Sequence, residues 1–245
     1  MEKIKKALVT GGGRGIGSAV SKLLAKNGYE VYVNFAGNTA AAEKTKNEIE
    51  QNGGTCFLAK CDLRDADCAE KLYAVTGDID VLILNASIQH RKKWNEITLD
   101  EYDDQMNCNF RSSLLLIQKY APGMQKAGWG RIITVGSVQE KKPHPDMLVY
   151  SSSKAALTLM AQSLSLQLAG TGVTVNSVAP GVVATDRNAE VLADEQYRET
   201  VLSKIPLGFC AEAEDVAGTI CFLCSDEAKY ITGQNIFVDG GMSVK

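Results

Sequence analysis

The sequence predicts a doubly wound α/β fold: a seven-stranded parallel sheet with helices on both faces, built as one domain over residues 1–245. Three observations lead there. Seven short runs rich in β-branched residues, each bounded by Gly, Asn or Asp, recur along the chain; helix-length amphipathic segments separate them; and a cluster of glycines directly follows the first run. Parallel neighbours need a crossover between them, so regular alternation of strand and helix dictates a parallel sheet covered by helices. No Pro/Ser-rich linker, repeat or low-complexity tract divides the chain.

Strands are expected at residues 6–10, 30–35, 55–60, 81–85, 131–137, 173–178 and 235–239. The first helix, 15–27, carries Ile16, Ala19, Val20, Leu23 and Leu24 at helical spacing, with Gly28 placed to stop it. Further helices are expected at 39–51, 65–75, 102–126, 150–169 and 213–223. Residues 184–212 fit the pattern least. Their first part reads as a polar helix and ends in Ile205-Pro206-Leu207-Gly208, as a lid over a site or a surface insertion would.

Composition removes several function classes. Apolar residues make up 45% of the chain, and 26 basic residues nearly balance 29 acidic ones for a net charge of −3, so no broad field draws in nucleic acid or an anionic membrane. No apolar run approaches the roughly 20 residues that cross a bilayer. The start, Met1-Glu2-Lys3-Ile4-Lys5-Lys6, enters Ala7-Leu8-Val9 without the apolar core of a signal peptide, and a cytoplasmic location is expected. Seven scattered cysteines lack the spacing of a disulfide framework or zinc site, and no metal is expected. Cys221-x-x-Cys224 lies in an apolar helical run and reads as core thiols rather than a redox pair.

The chemistry concentrates at strand ends. Thr10-Gly11-Gly12-Gly13-Arg14-Gly15-Ile16-Gly17 joins the first strand to the first helix. Glycines there permit a tight turn and let backbone N–H groups approach a pyrophosphate at the helix N-terminus, whose dipole favours anions. The second strand ends in Val33-Asn34-Phe35-Ala36-Gly37-Asn38, without the acid that holds the free 2′-hydroxyl of NAD. Arg14 can instead pair with a 2′-phosphate, which favours NADP(H) over NAD(H). Asn34 counts among the expected cofactor contacts.

Tyr150 and Lys154 stand one helical turn apart on one face. A phenol is a poor base near neutrality, and a neighbouring ammonium stabilises its phenolate. Ser137, at the carboxyl end of the fifth strand, can hydrogen-bond a carbonyl oxygen on which negative charge develops. A Ser-His-Asp hydrolase is disfavoured: the only histidines are His90 and His144, and no serine sits in a glycine-flanked elbow.

In order, Thr10-Gly11-x-x-x-Gly15-x-Gly17, Asn85-Ala86, Asn109, Ser137 with Tyr150-x-x-x-Lys154, Pro180-Gly181-x-x-x-Thr185 and the Ile231–Gly241 segment are similar to the short-chain dehydrogenase/reductase family, in its 3-oxoacyl-(acyl carrier protein) reductase-like branch, over essentially the whole chain. The resemblance implies a Rossmann-type fold and an oxidoreductase that interconverts a carbonyl and a secondary alcohol by hydride transfer. It implies Tyr150 as general acid or base, Ser137 as the orienter of the substrate oxygen, Lys154 on the nicotinamide ribose, and the Asn109 backbone holding a relay water. Gly11, Gly13, Arg14, Gly15, Ile16 and Gly17 would cradle the dinucleotide. Asp62 and Leu63 would lie near the adenine, Asn85 and Ala86 along the ribose, and Pro180, Gly181, Val183 and Thr185 near the nicotinamide amide. It also implies a homotetramer, and Leu114-Leu115-Leu116-Ile117, apolar around most of its circumference, suits a helix buried by both core and partner.

Two departures stand out, the first expected to alter packing near the cofactor without loss of binding and the second bearing on substrate. The family's usual Asn-Asn-Ala-Gly reads Leu84-Asn85-Ala86-Ser87, and Gly128 and Thr171 stand where carrier-protein reductases place basic residues thought to flank the entrance. The residues expected to face substrate are polar, with Gln89, Gln139 and His144 foremost beside Ser137, and His90, Arg91, Lys141 and Lys142 nearby; Trp94, Ile97 and Leu99 could form an apolar wall. A small polar carbonyl, polyol or hydroxy acid fits such loops better than an acyl chain. A 3-oxoacyl thioester of carrier protein or CoA is the alternative within the class, and a non-catalytic dinucleotide-binding sensor or scaffold is the alternative outside it.

Overall fold

The computed structural model describes residues 4–245, apart from the side chains of Arg187, Glu190, Val191 and Leu192; the Met1-Glu2-Lys3 start on which the leader-free reading rests lies outside the described residues. Seven strands, β1 (Lys6–Val9), β2 (Glu30–Phe35), β3 (Thr55–Lys60), β4 (Val81–Leu84), β5 (Gly130–Val135), β6 (Val173–Pro180) and β7 (Asn235–Val238), form one sheet in the order β3-β2-β1-β4-β5-β6-β7. Every pairing is parallel. The order reverses beside β1, where the chain crosses from the β2–β3 side to β4, and a crevice opens there at the strands' carboxyl ends.

Helices α1 (Gly15–Lys26) and α2 (Thr39–Gln51), with α9 (Ala213–Leu223), cover one face; α3 (Cys68–Thr76), α5 (Ser112–Ala127) and α6 (Leu148–Gln167) cover the other. Each face buries its own cluster. Val9, Val31, Val33, Ile83 and Val135 meet α1 and α9 on one side, while Leu8, Leu82, Leu84 and Ile132 meet α3 and α5 on the other. Successive strand residues point to opposite faces, so strands buried on both sides read as continuous apolar runs rather than alternating ones. Gly28, at φ +86°, follows the Asn27 cap of α1 as expected.

Three elements differ from their sequence expectations. The segment expected as one helix over 102–126 is α4 (Leu99–Met106), a π-helical turn at Asn107–Arg111, and α5. The helix expected over 184–203 is two, α7 (Asp186–Ala193) and α8 (Glu195–Leu202), because Asp194 leaves helical geometry and accepts the Tyr197 N–H as an N-cap. The β5 strand stops at Val135, so Ser137 lies just beyond it in extended backbone, at φ −164°.

All seven cysteines are free thiols. Burial pushes Cys221 up to about 12 and Cys224 well above the ordinary thiol value, which leaves Cys221-x-x-Cys224 without the electropositive setting a reactive thiolate needs. No described helix is long and apolar enough to cross a membrane.

Candidate active site

The glycine loop sets the floor of the crevice. Gly17 is the first-turn residue of α1 whose side chain would point back into the loop: a Cβ there would stand 2.2 Å from the Gly11 carbonyl oxygen. Gly11 itself has φ +61°, a conformation only glycine adopts cheaply. The loop is then tied to β4. Thr10 Oγ1 accepts the N–H groups of Asn85 and Ala86 at 2.9 and 3.0 Å, and the Asn85 amide donates to the Thr10 and Gly11 carbonyl oxygens. These bonds hold together the ends of the two strands that flank the reversal point.

A cavity of about 500 Å³ opens over this floor. It is lined by Gly11, Gly13, Arg14, Gly15 and Ile16 from the loop; by Asp62, Leu63, Asn85 and Ala86 along one wall; and by Ser137, Tyr150 and Lys154 beside Pro180, Gly181, Val183 and Thr185. Gln89, Gln139 and His144 line it as well. Almost all of the residues the sequence singles out therefore converge, from seven segments between residues 11 and 185.

Several make contacts the sequence does not reveal, or stand away from the cavity. Asn34 is 1% exposed and its amide is consumed: Nδ2 donates to the Ala59 and Cys61 carbonyl oxygens at 3.1 and 3.0 Å, and Oδ1 accepts the Gly11 N–H at 3.4 Å. It lines the cavity and also clamps the glycine loop from below. Gly17 lies beneath the loop rather than on the cavity wall and acts by close packing. Asp62 faces the cavity, but Arg64 grips its carboxylate through Nε and a terminal nitrogen, which holds its pKa below the usual carboxylate value. His90, Lys141 and Lys142 turn away from the cavity: His90 lines a small separate pocket, Lys141 sits 5.5 Å from the Phe237 ring, and Lys142 donates to the Lys245 carbonyl oxygen. Trp94 and Leu99 form no wall, at 76% and 73% exposed. Gly128 and Thr171 precede β5 and β6, at the edge of the sheet opposite the cavity, so they do not flank this chain's own entrance.

The side chains at the far end of the cavity are held from behind. Lys154 is 1% exposed and donates from Nζ to the Val135 carbonyl oxygen at 2.6 Å; its ammonium is 5.8 Å from the Tyr150 ring centroid. Ser137 Oγ accepts the Gln139 N–H at 3.2 Å, which leaves its own proton available to the cavity. Asn109 sits in the π-helical turn, a deviation often found at functional sites. Its side chain grips Ile88 through both the backbone N–H and C=O and donates to Ser153 Oγ at 3.0 Å. That side chain braces the segment after β4 against α6.

Sequence reasoning missed two contributors. Tyr197, Val201 and Lys204 of the 184–212 region line the cavity, and so does Met242, just past the Gly240-Gly241 turn. Only the lid-like composition hinted at the first group. Among the described residues no three His, Cys, Asp or Glu gather as a metal site.

A family model described as enoyl-(acyl carrier protein) reductase matches residues 11–243. The chain is 38% identical over 246 residues, 99% of each chain, to the 3-oxoacyl-[acyl-carrier-protein] reductase FabG of Staphylococcus aureus. It belongs to the short-chain dehydrogenase/reductase family. The L-rhamnose 1-dehydrogenase (NAD(P)(+)) of Azotobacter vinelandii is 36% identical, with 98% of this chain and 97% of that one covered. Among solved structures, one from Beutenbergia cavernae, provisionally assigned as an NAD(P)-dependent gluconate 5-dehydrogenase and holding NADP at low occupancy, superposes with a TM-score of 0.93 at 33% identity, covering 98% and 97% of the two chains. This short-chain dehydrogenase/reductase is thus an oxidoreductase acting on hydroxyl or carbonyl groups.

Proposed function

We propose that the chain is an NADP(H)-dependent oxidoreductase that interconverts a small polar carbonyl compound and its secondary alcohol, with Tyr150 as the proton donor and acceptor. The observation that carries this reading is that Ser137, Tyr150 and Lys154 share one cavity with the glycine loop. A scaffold or sensor would need the loop alone.

The cavity suits a dinucleotide: its volume is about 500 Å³, its floor lacks side chains where a pyrophosphate approaches, and it meets the N-terminus of α1. Arg14 is exposed on the loop, and the end of β2 with the segment after it contributes Phe35, Ala36, Gly37 and Asn38 to the lining with no acid to repel a 2′-phosphate. These features support NADP(H) over NAD(H), with Arg14 as the phosphate's partner. The bound nicotinamide supplies or accepts the hydride.

The chain's own residues do the rest. Ser137 donates its hydroxyl proton in a hydrogen bond to the substrate oxygen and orients it. Tyr150 gives its phenolic proton to that oxygen during reduction and takes it back during oxidation. Lys154, fixed by the Val135 carbonyl, favours the phenolate electrostatically, and a proton passes along the water held near Asn109 to restore Tyr150. Residues 184–212 close over the bound pair and exclude water.

Gln89, Gln139 and His144 favour a hydroxylated substrate over an acyl chain, because apolar contacts would strip their hydration without replacement. A 3-oxoacyl thioester is the second reading, favoured by the 38% identity to the Staphylococcus aureus reductase. Assays with NADPH against a keto-sugar panel and acetoacetyl-CoA separate the two: reduction of the keto sugars is expected, and turnover of the thioester alone overturns the polar-substrate reading. Tyr150→Phe should lose carbonyl reduction in either case.

The same reading takes the whole chain as one domain of a cytoplasmic homotetramer. Leu116 and Ile117 are buried in the core while α6 leaves Leu148, Leu159 and Leu166 exposed at 50%, 63% and 79%. Light scattering at the mass of a monomer would remove the tetramer.

A further inference from the structure

The chain after β4 is extended and pinned at every second residue. Ile88 N–H donates to Asn109 Oδ1 at 2.8 Å, His90 N–H to Gln105 Oε1 at 3.2 Å, and Lys92 N–H to the Asp146 carbonyl oxygen at 2.9 Å. Lys92 also forms a parallel bridge with Met147, three residues before Tyr150. An extended segment sends successive side chains to opposite sides. Gln89 and Arg91 accordingly line the main cavity, whereas His90 and Lys92 line the small pocket behind it.

The two sides differ in charge pairing. Behind, His90 Nε2 is 3.7 Å from an Asp104 carboxylate oxygen and Lys92 Nζ is 3.4 Å from Glu101. In the cavity, Arg91 has no acidic partner among the described residues, and neither does Lys204 on the lid side. An arginine held by a pinned backbone at the wall of a site, and left without a carboxylate by its own protein, is suited to take one from a ligand in its planar two-donor fork.

We infer that Arg91 is a carboxylate-binding residue and that the substrate is a keto or hydroxy carboxylic acid bearing further hydroxyl groups, with Lys204 adding a second positive charge when the lid is over the site. This inference rests on the proposed function and narrows its substrate class. Donor chemistry beside Arg91 fits the hydroxyls. Gln139 Oε1 is occupied by the His144 N–H, which leaves the Gln139 NH₂ to face the cavity; His144 Nδ1 accepts the Asp146 N–H, which leaves Nε2–H as a donor. Of the acids on the cavity wall, Asp62 is bound to Arg64, and Asp186 stands at the start of α7.

The same guanidinium could bind the phosphates of a thioester's carrier, so the test includes both anions. Steady-state rates with NADPH are measured for keto acids of four to six carbons, each beside a neutral ketose of equal length, and for acetoacetyl-CoA, in wild type, Arg91→Gln, Arg91→Lys and Tyr150→Phe. The expected result is a preference of wild type for the keto acids that falls roughly 10- to 100-fold in Arg91→Gln, through KM, and is partly rescued in Arg91→Lys. Added salt should erode the preference too. An acid-to-neutral ratio unchanged by Arg91→Gln overturns the inference, as does a wild type that reduces no keto acid or an Arg91→Gln loss confined to acetoacetyl-CoA. Those results leave the Tyr150 assignment intact; turnover that survives Tyr150→Phe is what overturns the proposed function.

Discussion

Lys154 Nζ and the Val135 carbonyl oxygen lie 2.6 Å apart, joining a fully buried ammonium to the last residue of β5. A buried charge is costly unless hydrogen-bonded, so this bond fixes where the ammonium can sit. Tyr150 is one turn earlier on the same helix face, and Ser137 is two residues beyond Val135 on the same strand end. One bond therefore ties the helix face that carries Tyr150 to the strand end that carries Ser137. Lys154→Met keeps the volume but removes the charge and the donor. We expect kcat to fall at least 100-fold with weaker NADPH binding, read by steady-state kinetics and fluorescence titration. An unchanged kcat would remove Lys154 from the chemistry.

Arg14 is exposed, has no ion-pair partner among the described residues, and lies on the same cavity wall as Gly37 and Asn38. Arg14→Ala should raise the Kd for NADPH by roughly 10-fold or more, the loss of a charge-assisted hydrogen bond, while the Kd for NADH changes little. Parallel titrations with both nucleotides check this, and equal losses for the two would mean that Arg14 does not read the 2′-phosphate.

Asn34 carries a prediction of another kind. Its amide bonds to Ala59, Cys61 and Gly11 with 1% exposure, so Asn34→Leu leaves two carbonyl oxygens and one N–H without that partner. Each buried group stranded in this way costs about 1–3 kcal/mol. A fall in Tm of at least about 4 °C is expected, with NADPH binding weakened in step because the loop at Gly11 loosens. A variant as stable as wild type but poor in NADPH binding would mark Asn34 as a direct ligand rather than a support.

The contrast between Asn34 and Tyr150 explains what the sequence reveals. Strands such as Glu30–Phe35 are legible because burial on both faces writes a continuous apolar run, and Tyr150 with Lys154 because four residues on a helix are one turn. The glycine loop is legible because a strand-to-helix junction constrains a few adjacent residues. Asn34 and Asn109 act through partners 21 to 44 residues away, and nothing in their neighbourhood distinguishes a ligand amide from a clamp. The alternation that sends Arg91 inward and His90 outward depends on Gln105, Asn109 and Asp146, which no local pattern links to that segment.

The edge opposite the site predicts how stability depends on pH. Arg131, 2% exposed, donates to the Gly130, Gly172 and Ser225 carbonyl oxygens, and its remaining nitrogen stands 3.3 Å from Asp226. Asp226 also accepts the Trp129 indole N–H at 2.8 Å, and that bond, with the charges of Lys5 and Arg131, holds its pKa below the usual carboxylate value. A carboxyl whose pKa is lower in the folded chain than in the unfolded one stabilises the fold above its unfolded value, near 3.9, and this contribution is lost as pH falls through the folded value. Asp226 is 68% exposed, so water screens the pair and the effect is small. Asp226→Asn should lower Tm at pH 7 by on the order of 2–4 °C, with the gap to wild type closing as pH drops below about 4. Thermal melts of both proteins from pH 7 to pH 3 decide it: a gap constant across that range would mean that the charge of Asp226 contributes nothing to stability.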